Sequence, residues 1–321
     1  MTDASHPGEF DSLGEVADEL GLDRAVLPTV TRRSVQVGSE QQISVLTWGD
    51  DDPELVFLHG GGQNAHTWDL VITALGRPAI AIDLAGHGHS SWRDDHDYGP
   101  ARNAPAVARV VSELAPAAVG VIGMSLGGLT LIRLAATRPE LVRRAVIVDV
   151  TPGSGVAHTR MTSAERGATQ LISGPPSFAS LEEMVDLAVQ ASPRRPASAV
   201  RRGVRHNTRQ QADGTWTWRY DPGIGSVGAG SDFRLLWDDV ARLSMPVMLV
   251  RGGDSVFVTT DDLAAMTARL PALRVEVVPG AGHAVQSDRP LALAALIRGF
   301  MPDRSGPPLP ASPPSAPGMA S

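Results

Sequence analysis

Apolar residues in this chain fall into short unbroken runs rather than an in-out alternation. The runs at 55–58, 79–84, 118–122, 145–150 and 246–250 each read as a buried strand, and 274–278 reads as a further strand of the series. Between them, apolar positions three or four apart predict helices over 68–75, 104–114, 126–136, 261–270 and 290–300. Segments 34–38 and 42–48 are joined tightly and read as a hairpin. Buried strands separated by amphipathic helices predict a parallel sheet covered on both faces, with right-handed crossovers.

The rhythm stops between residues 151 and 231. That stretch has no buried-strand run. It carries helical pieces at 181–191 and 197–209, several Pro and Gly, and the pair Trp216 and Trp218. It reads as an insertion lying over the sheet as a cap. The core is expected over 31–150 and 232–301, after an N-terminal extension (1–30) with a weak helical pattern at Leu13, Val16, Ala17 and Leu20. Residues 302–321, rich in Pro, Ser, Gly and Ala, are expected to be a disordered tail.

Composition narrows the function classes. A chain of 321 residues accommodates one main core plus such an insertion. The net charge of -7 argues against a nucleic-acid partner. No run approaches the roughly 20 apolar residues that span a bilayer, and the polar, acidic start lacks the features of a signal peptide. A cytoplasmic protein acting on a small molecule, away from membranes, is the expectation. The chain has no Cys, which excludes disulfides, thiol nucleophiles and thiolate metal sites. All 28 basic residues are Arg, so neither a Schiff-base lysine nor a Ser-Lys pair is available.

The chemistry concentrates in a few turns. Gly123-Met124-Ser125-Leu126-Gly127 follows a strand run and opens a helix. G-x-S-x-G in that context is a nucleophile elbow: a tight turn lifts the serine hydroxyl above the sheet, over a helix N-terminus that favours developing negative charge. His59-Gly60-Gly61-Gly62 ends an earlier strand. An oxyanion needs two convergent backbone N–H groups, one from Leu126 and one from this loop, with Gly61 preferred and Gly62 the alternative. His59, and His87 and His89 in the 83–90 loop, read as structural.

Acid and base follow such an elbow in that order. Of 9 histidines, His283 sits after a late strand in a glycine-rich loop, just before the last helix. It is the expected general base. For the carboxylate that orients it, Asp254 is preferred on chain position and the glycines before it. Asp149, at the end of the preceding core strand, is the rival.

Taken together, these residues resemble the α/β-hydrolase superfamily, in its capped serine-hydrolase subgroup, over about residues 34–300. The matching motifs are His-Gly-Gly-Gly at 59–62, Asp-x-x-Gly-x-Gly-x-Ser at 83–90, the serine elbow, Gly-Gly-Asp at 252–254 and Gly-His at 282–283. The resemblance implies an α/β fold with an eight-stranded, mostly parallel sheet, a cap inserted after the sixth strand, and no cofactor. No metal site is expected.

Serine at the elbow, where epoxide hydrolases and haloalkane dehalogenases carry aspartate, suits acyl transfer to water from a carboxyl ester, lactone or thioester. Two other readings stand beside it. One is a C–C bond hydrolase acting on a carboxylated ring-fission product. The other is a non-catalytic small-molecule receptor. Arg201, Arg205 and Arg209 are spaced by four and would share one helix face. Such a row, with Trp216, is a candidate substrate contact, although a solvated basic face is the plainer reading.

Overall fold

The computed structural model describes residues 8–39, 41–154, 175–223 and 233–302. Eight strands form one sheet in the order β1-β2-β4-β3-β5-β6-β9-β10. They are β1 (Val30–Gln36), β2 (Gln42–Trp48), β3 (Leu55–Leu58), β4 (Ala79–Ile82), β5 (Gly120–Met124), β6 (Ala145–Val148), β9 (Val247–Gly252) and β10 (Arg274–Val278). β2 is antiparallel to both β1 and β4, and every other pairing is parallel. β7 (Thr208–Gln210) and β8 (Trp216–Trp218) make a separate antiparallel ribbon.

The unbroken apolar runs explain the layering. Side chains alternate across a strand, and in the central strands both sets are apolar. Val56, Leu58, Ile80, Ile82, Val121 and Ile147 belong to one core. Leu55, Phe57, Ala79, Ala81, Ile122 and Val148 belong to the other. The first core is closed by α3 (Pro100–Leu114), α4 (Leu126–Thr137), α7 (Leu236–Val240) and α8 (Thr260–Arg269). The second is closed by α1 (Leu13–Leu20), α2 (Asp69–Leu75) and α10 (Pro290–Phe300). A short α9 (Val285–Asp288) precedes α10.

Two boundaries moved for physical reasons. β1 starts at Val30, earlier than its apolar pattern indicates, because backbone pairing with β2 runs on through the polar Thr31, Arg32 and Arg33 at the sheet edge. The helix expected over 197–209 ends at His206, since Thr208–Gln210 pairs with Trp216–Trp218 instead.

β6 and β9 are neighbours in the sheet, so the chain between them leaves it. The described part of that insert has its own small core. Met184 and Val185 of α5 (Leu181–Gln190) meet Val200 and Val204 of α6 (Ala197–His206), with Trp218 and Tyr220. The expected limits of the insertion, 151–231, fall partly outside the described residues, as does nearly all of the 302–321 tail.

The N-terminal extension is built into the molecule. Val16 and Ala17 are fully buried, and Leu13 joins the core beside α2. Its polar face grips the insert: Glu19 accepts from Arg202 Nη2 at 2.7 Å, and Ser12 Oγ lies 2.9 Å from His206 Nε2.

One glycine is demanded by close packing at the start of α4. A Cβ on Gly127 would lie 2.3 Å from the Leu58 carbonyl oxygen. The obstacle is the backbone of a central strand, which cannot swing aside. Gly127→Ala is therefore expected to lose about 3 kcal/mol or more, a fall in Tm of roughly 6–12 °C, measurable by thermal denaturation.

Candidate active site

The loops at the carboxyl ends of the parallel strands hold the candidate residues. Ser125 links β5 to α4 with φ 50° and ψ -118°. A non-glycine residue held there costs about 1–3 kcal/mol and persists only when its surroundings enforce it. They do so here: the Ser125 N–H donates to Val148 O at 3.2 Å, and its carbonyl accepts from Leu129 N at 2.9 Å. The serine thus stands beside the end of β6, in an elbow of the expected form.

Asp149 follows directly on β6 and is wholly buried, also at positive φ (52°). Its Oδ2 lies 2.8 Å from His283 Nδ1 and accepts from the Ser255 hydroxyl, while Oδ1 accepts from Gly252 N at 2.9 Å. A buried carboxylate is tolerable only with such a set of donors. The close approach depends on Gly252, where a Cβ would fall 2.2 Å from the Gly282 carbonyl oxygen. The His283 ring stacks on Phe257 with centroids 3.5 Å apart.

This geometry corrects the expected carboxylate. Asp254 is not the group behind His283. Its side chain is half exposed, and its described ionic partner is Arg194 at 3.5 Å, an exposed pairing worth at most about 1 kcal/mol. The reason is strand adjacency: β6 is hydrogen-bonded to β5, whereas β9 lies one strand further from the serine. The glycines read as presenting Asp254 instead bring the Gly252 N–H to Asp149.

With Nδ1–H directed at Asp149, the His283 Nε2 lone pair is bare. That atom is buried and has no hydrogen-bond partner among the described residues.

The 59–63 loop is pinned by two neutral histidines. His59 lies with Nδ1 2.8 Å from Gly60 O, and its Nε2 accepts from Leu84 N at 2.9 Å. His87 lies with Nδ1 3.0 Å from Ala85 O, and its Nε2 accepts from Gly62 N at 3.0 Å. Burial pushes His87 down to about 3, with the neighbouring His59 adding to the effect, and burial lowers His59 as well. Both rings are held in the one tautomer that can serve donor and acceptor. Because the Gly62 N–H is spent on His87, it cannot serve an oxyanion. The Gly61 and Leu126 N–H groups make no hydrogen bond to described residues. On the insert side, Asn207 Nδ2 donates to Gly62 O at 2.7 Å, and Asn64 Nδ2 donates to His206 O at 2.9 Å. Asn207 carried no sequence signal, since a single Asn after a helix is ordinary capping chemistry.

A cavity of about 260 Å³ lies between insert and core, lined by Gly61, Met124 and His283 on one side and by Arg194, Arg195 and Arg202 on the other. The proposed substrate contacts Arg201, Arg205 and Trp216 are not among its described lining residues. Arg201 pairs with Glu182 at 2.5 Å on the outer surface. Arg209, on β7, packs over Trp92. The basic row is therefore a surface feature. Trp218, its ring stacked on Tyr220, reaches the cavity instead.

Another cluster also touches this cavity. His66 lies with Nδ1 2.9 Å from Asp69 and Nε2 3.1 Å from Glu9, and His206 stacks on it at 3.7 Å. Ligand atoms of His66, Asp69 and His206 fall within 4.8 Å of one another. Stacked imidazoles aim their lone pairs along parallel planes, however, so one ion cannot lie in both, and both His66 nitrogens are already held. Burial works against charge on His66, but Asp69 and Glu9 outweigh it and raise the ring to about 9. Burial lowers His206 to about 4, aided by the charge on His66. The pair is thus a cation stacked on a neutral ring.

An elbow serine on a doubly covered sheet of this order, with a histidine-carboxylate pair beside it, defines an α/β hydrolase. The chain belongs to the alpha/beta hydrolase family, whose model matches residues 55–296. It is 49% identical over 297 residues to a Mycobacterium tuberculosis esterase, Rv0045c, with 92% of this chain and 96% of that protein covered. A structure of that esterase superposes with a TM-score of 0.81, covering 92% of this chain and 99% of the other. The structure of E-2-(acetamidomethylene)succinate hydrolase gives a TM-score of 0.73 at 26% identity, covering 85% and 99%.

Two outcomes are expected. Asp149→Asn should lower kcat about 10⁴-fold, whereas Asp254→Asn should change it only a few-fold, as steady-state ester kinetics would show. The second concerns pH. His66 is raised on folding, so its contribution is complete below the unfolded value near 6.5 and is lost as pH rises through about 9. Glu9 is lowered: burial opposes the charge, but His66 and Arg32 prevail, so its contribution is lost as pH falls below the ordinary carboxylate range. The Tm gap between the protein and His66→Gln should therefore be widest near pH 6 and narrow by pH 10.

Proposed function

We propose that this protein hydrolyses a small-molecule carboxyl ester through an acyl-enzyme formed on Ser125. The observation that carries the reading is the His283 ring. Its Nδ1 is committed to a buried carboxylate and its Nε2 is bare, in the loop cluster that also holds a strained serine. The 49% identity to an esterase supports it.

In this reading Ser125 Oγ attacks the ester carbonyl while His283 Nε2 takes its proton, and Asp149 holds the tautomer and stabilises the imidazolium. Negative charge on the former carbonyl oxygen is met by the N–H groups of Gly61 and Leu126 at the start of α4. Collapse expels the alcohol, which leaves with the proton from His283. Water then gives its proton to Nε2, attacks the acyl-enzyme, and releases the acid and free Ser125. Lactones and thioesters submit to the same steps. The insert acts as the cap over this centre. The ring-fission reading loses its support with the basic row, which faces solvent and Glu182.

Ser125→Ala should abolish both labelling by a fluorophosphonate probe and turnover of p-nitrophenyl butyrate while leaving the melting transition intact. Turnover surviving in this variant would refute the assignment.

A further inference from the structure

Three arginines line the cavity from the insert, and two have a carboxylate partner. Arg202 is paired with Glu19 at 2.7 Å. Arg194 lies 3.5 Å from Asp254. Arg195 has no ion pair and no side-chain hydrogen bond among the described residues, and its Nε is buried and unmatched. Its guanidinium lies against Gly203, where a Cβ would be 3.8 Å from Nη2, so α6 leaves it room to stay in the wall.

Arg195 is half-buried, and its Nε is withdrawn from water with no partner among the described residues, which is costly for an always-charged group and is relieved by an anion in the cavity. Burial, the largest influence, pushes the Arg195 group below its ordinary value, and the nearby Arg202 charge adds to this while Asp288 opposes it. An anion entering the cavity would relieve both. Arginine's planar fork suits a carboxylate, which it can hold through two parallel charge-assisted bonds.

We propose that Arg195 is the specificity residue of this site, and that the preferred substrate is an ester bearing a carboxylate. The proposal rests on the ester-hydrolase reading above and assigns it a substrate class. The His66 ring, which also lines the cavity, is closed off by Glu9 and Asp69 and is not available for this purpose.

The test compares neutral and anionic esters on the full-length protein. One arm puts the carboxylate on the acyl side, with p-nitrophenyl monoesters of succinate, glutarate and adipate against neutral acyl chains of equal length. The other puts it on the leaving group, with 4-butyryloxybenzoate against its methyl ester. In at least one arm the anionic substrate should show kcat/KM about tenfold or more above its neutral match. The advantage should reside in KM, collapse in Arg195→Gln and be partly restored in Arg195→Lys. Fluorophosphonate labelling of each variant reports whether the catalytic centre remains assembled. A labelled, active enzyme that prefers neutral esters in both arms, or whose anionic-to-neutral ratio is unchanged in Arg195→Gln, overturns the proposal and leaves the esterase reading standing. Absence of labelling and of all ester turnover in the unaltered protein would defeat the esterase reading itself.

Discussion

The site is organised around one buried carboxylate. Asp149 takes donors from the end of β9 (Gly252), from the turn after it (Ser255) and from the loop after β10 (His283). An uncompensated charge at that depth would cost several kcal/mol, so these segments cannot drift apart without exposing the penalty. The elbow serine, hydrogen-bonded to Val148 immediately before Asp149, shares the same anchor. Ser125 and the His283 imidazole are thereby tied to one buried charge at the carboxyl ends of β5 and β6.

A complementary constraint acts on the loop after β3. Two imidazoles that burial keeps neutral satisfy one backbone donor and one backbone acceptor each. Charging His59 would remove its acceptor and leave the buried Leu84 N–H unmatched, at a cost of about 1–3 kcal/mol. The loop is therefore set before substrate arrives. By claiming the Gly62 N–H, His87 also removes that donor from the set open to any other acceptor.

Much of this was legible in the residues. Two-sided strands appear as apolar runs because every face is covered. The elbow declares itself because only that turn places Ser between glycines at a strand-to-helix junction, and His283 stood out by its glycine loop before the last helix. The acid is not legible for an identifiable reason: position along the chain favours Asp254, but the choice depends on which strand lies next to β5, and adjacency is not written in any local pattern. The Arg201, Arg205 and Arg209 row failed similarly. Regular spacing predicted a common face, whereas the ladder between Thr208 and Trp218 ended the helix early. Two of the cations that do reach the cavity, Arg194 and Arg195, lie in the irregular stretch between α5 and α6, where no periodicity advertises them. The N-terminal segment reads as an extension because its partners, Arg202 and His206, are 183 and 194 positions away.

That last connection changes how the cavity wall is to be understood. Arg202 lines the cavity, yet it is held by Glu19 and, more distantly, Glu15 on α1, ahead of the first strand. Insert and leading helix are two halves of one joint, and selection on either half is felt by the other. Variation confined to the insert would reshape the wall while leaving its brace tuned to the old shape. New specificities in this scaffold are thus reached most readily by exchanging both segments as a matched pair.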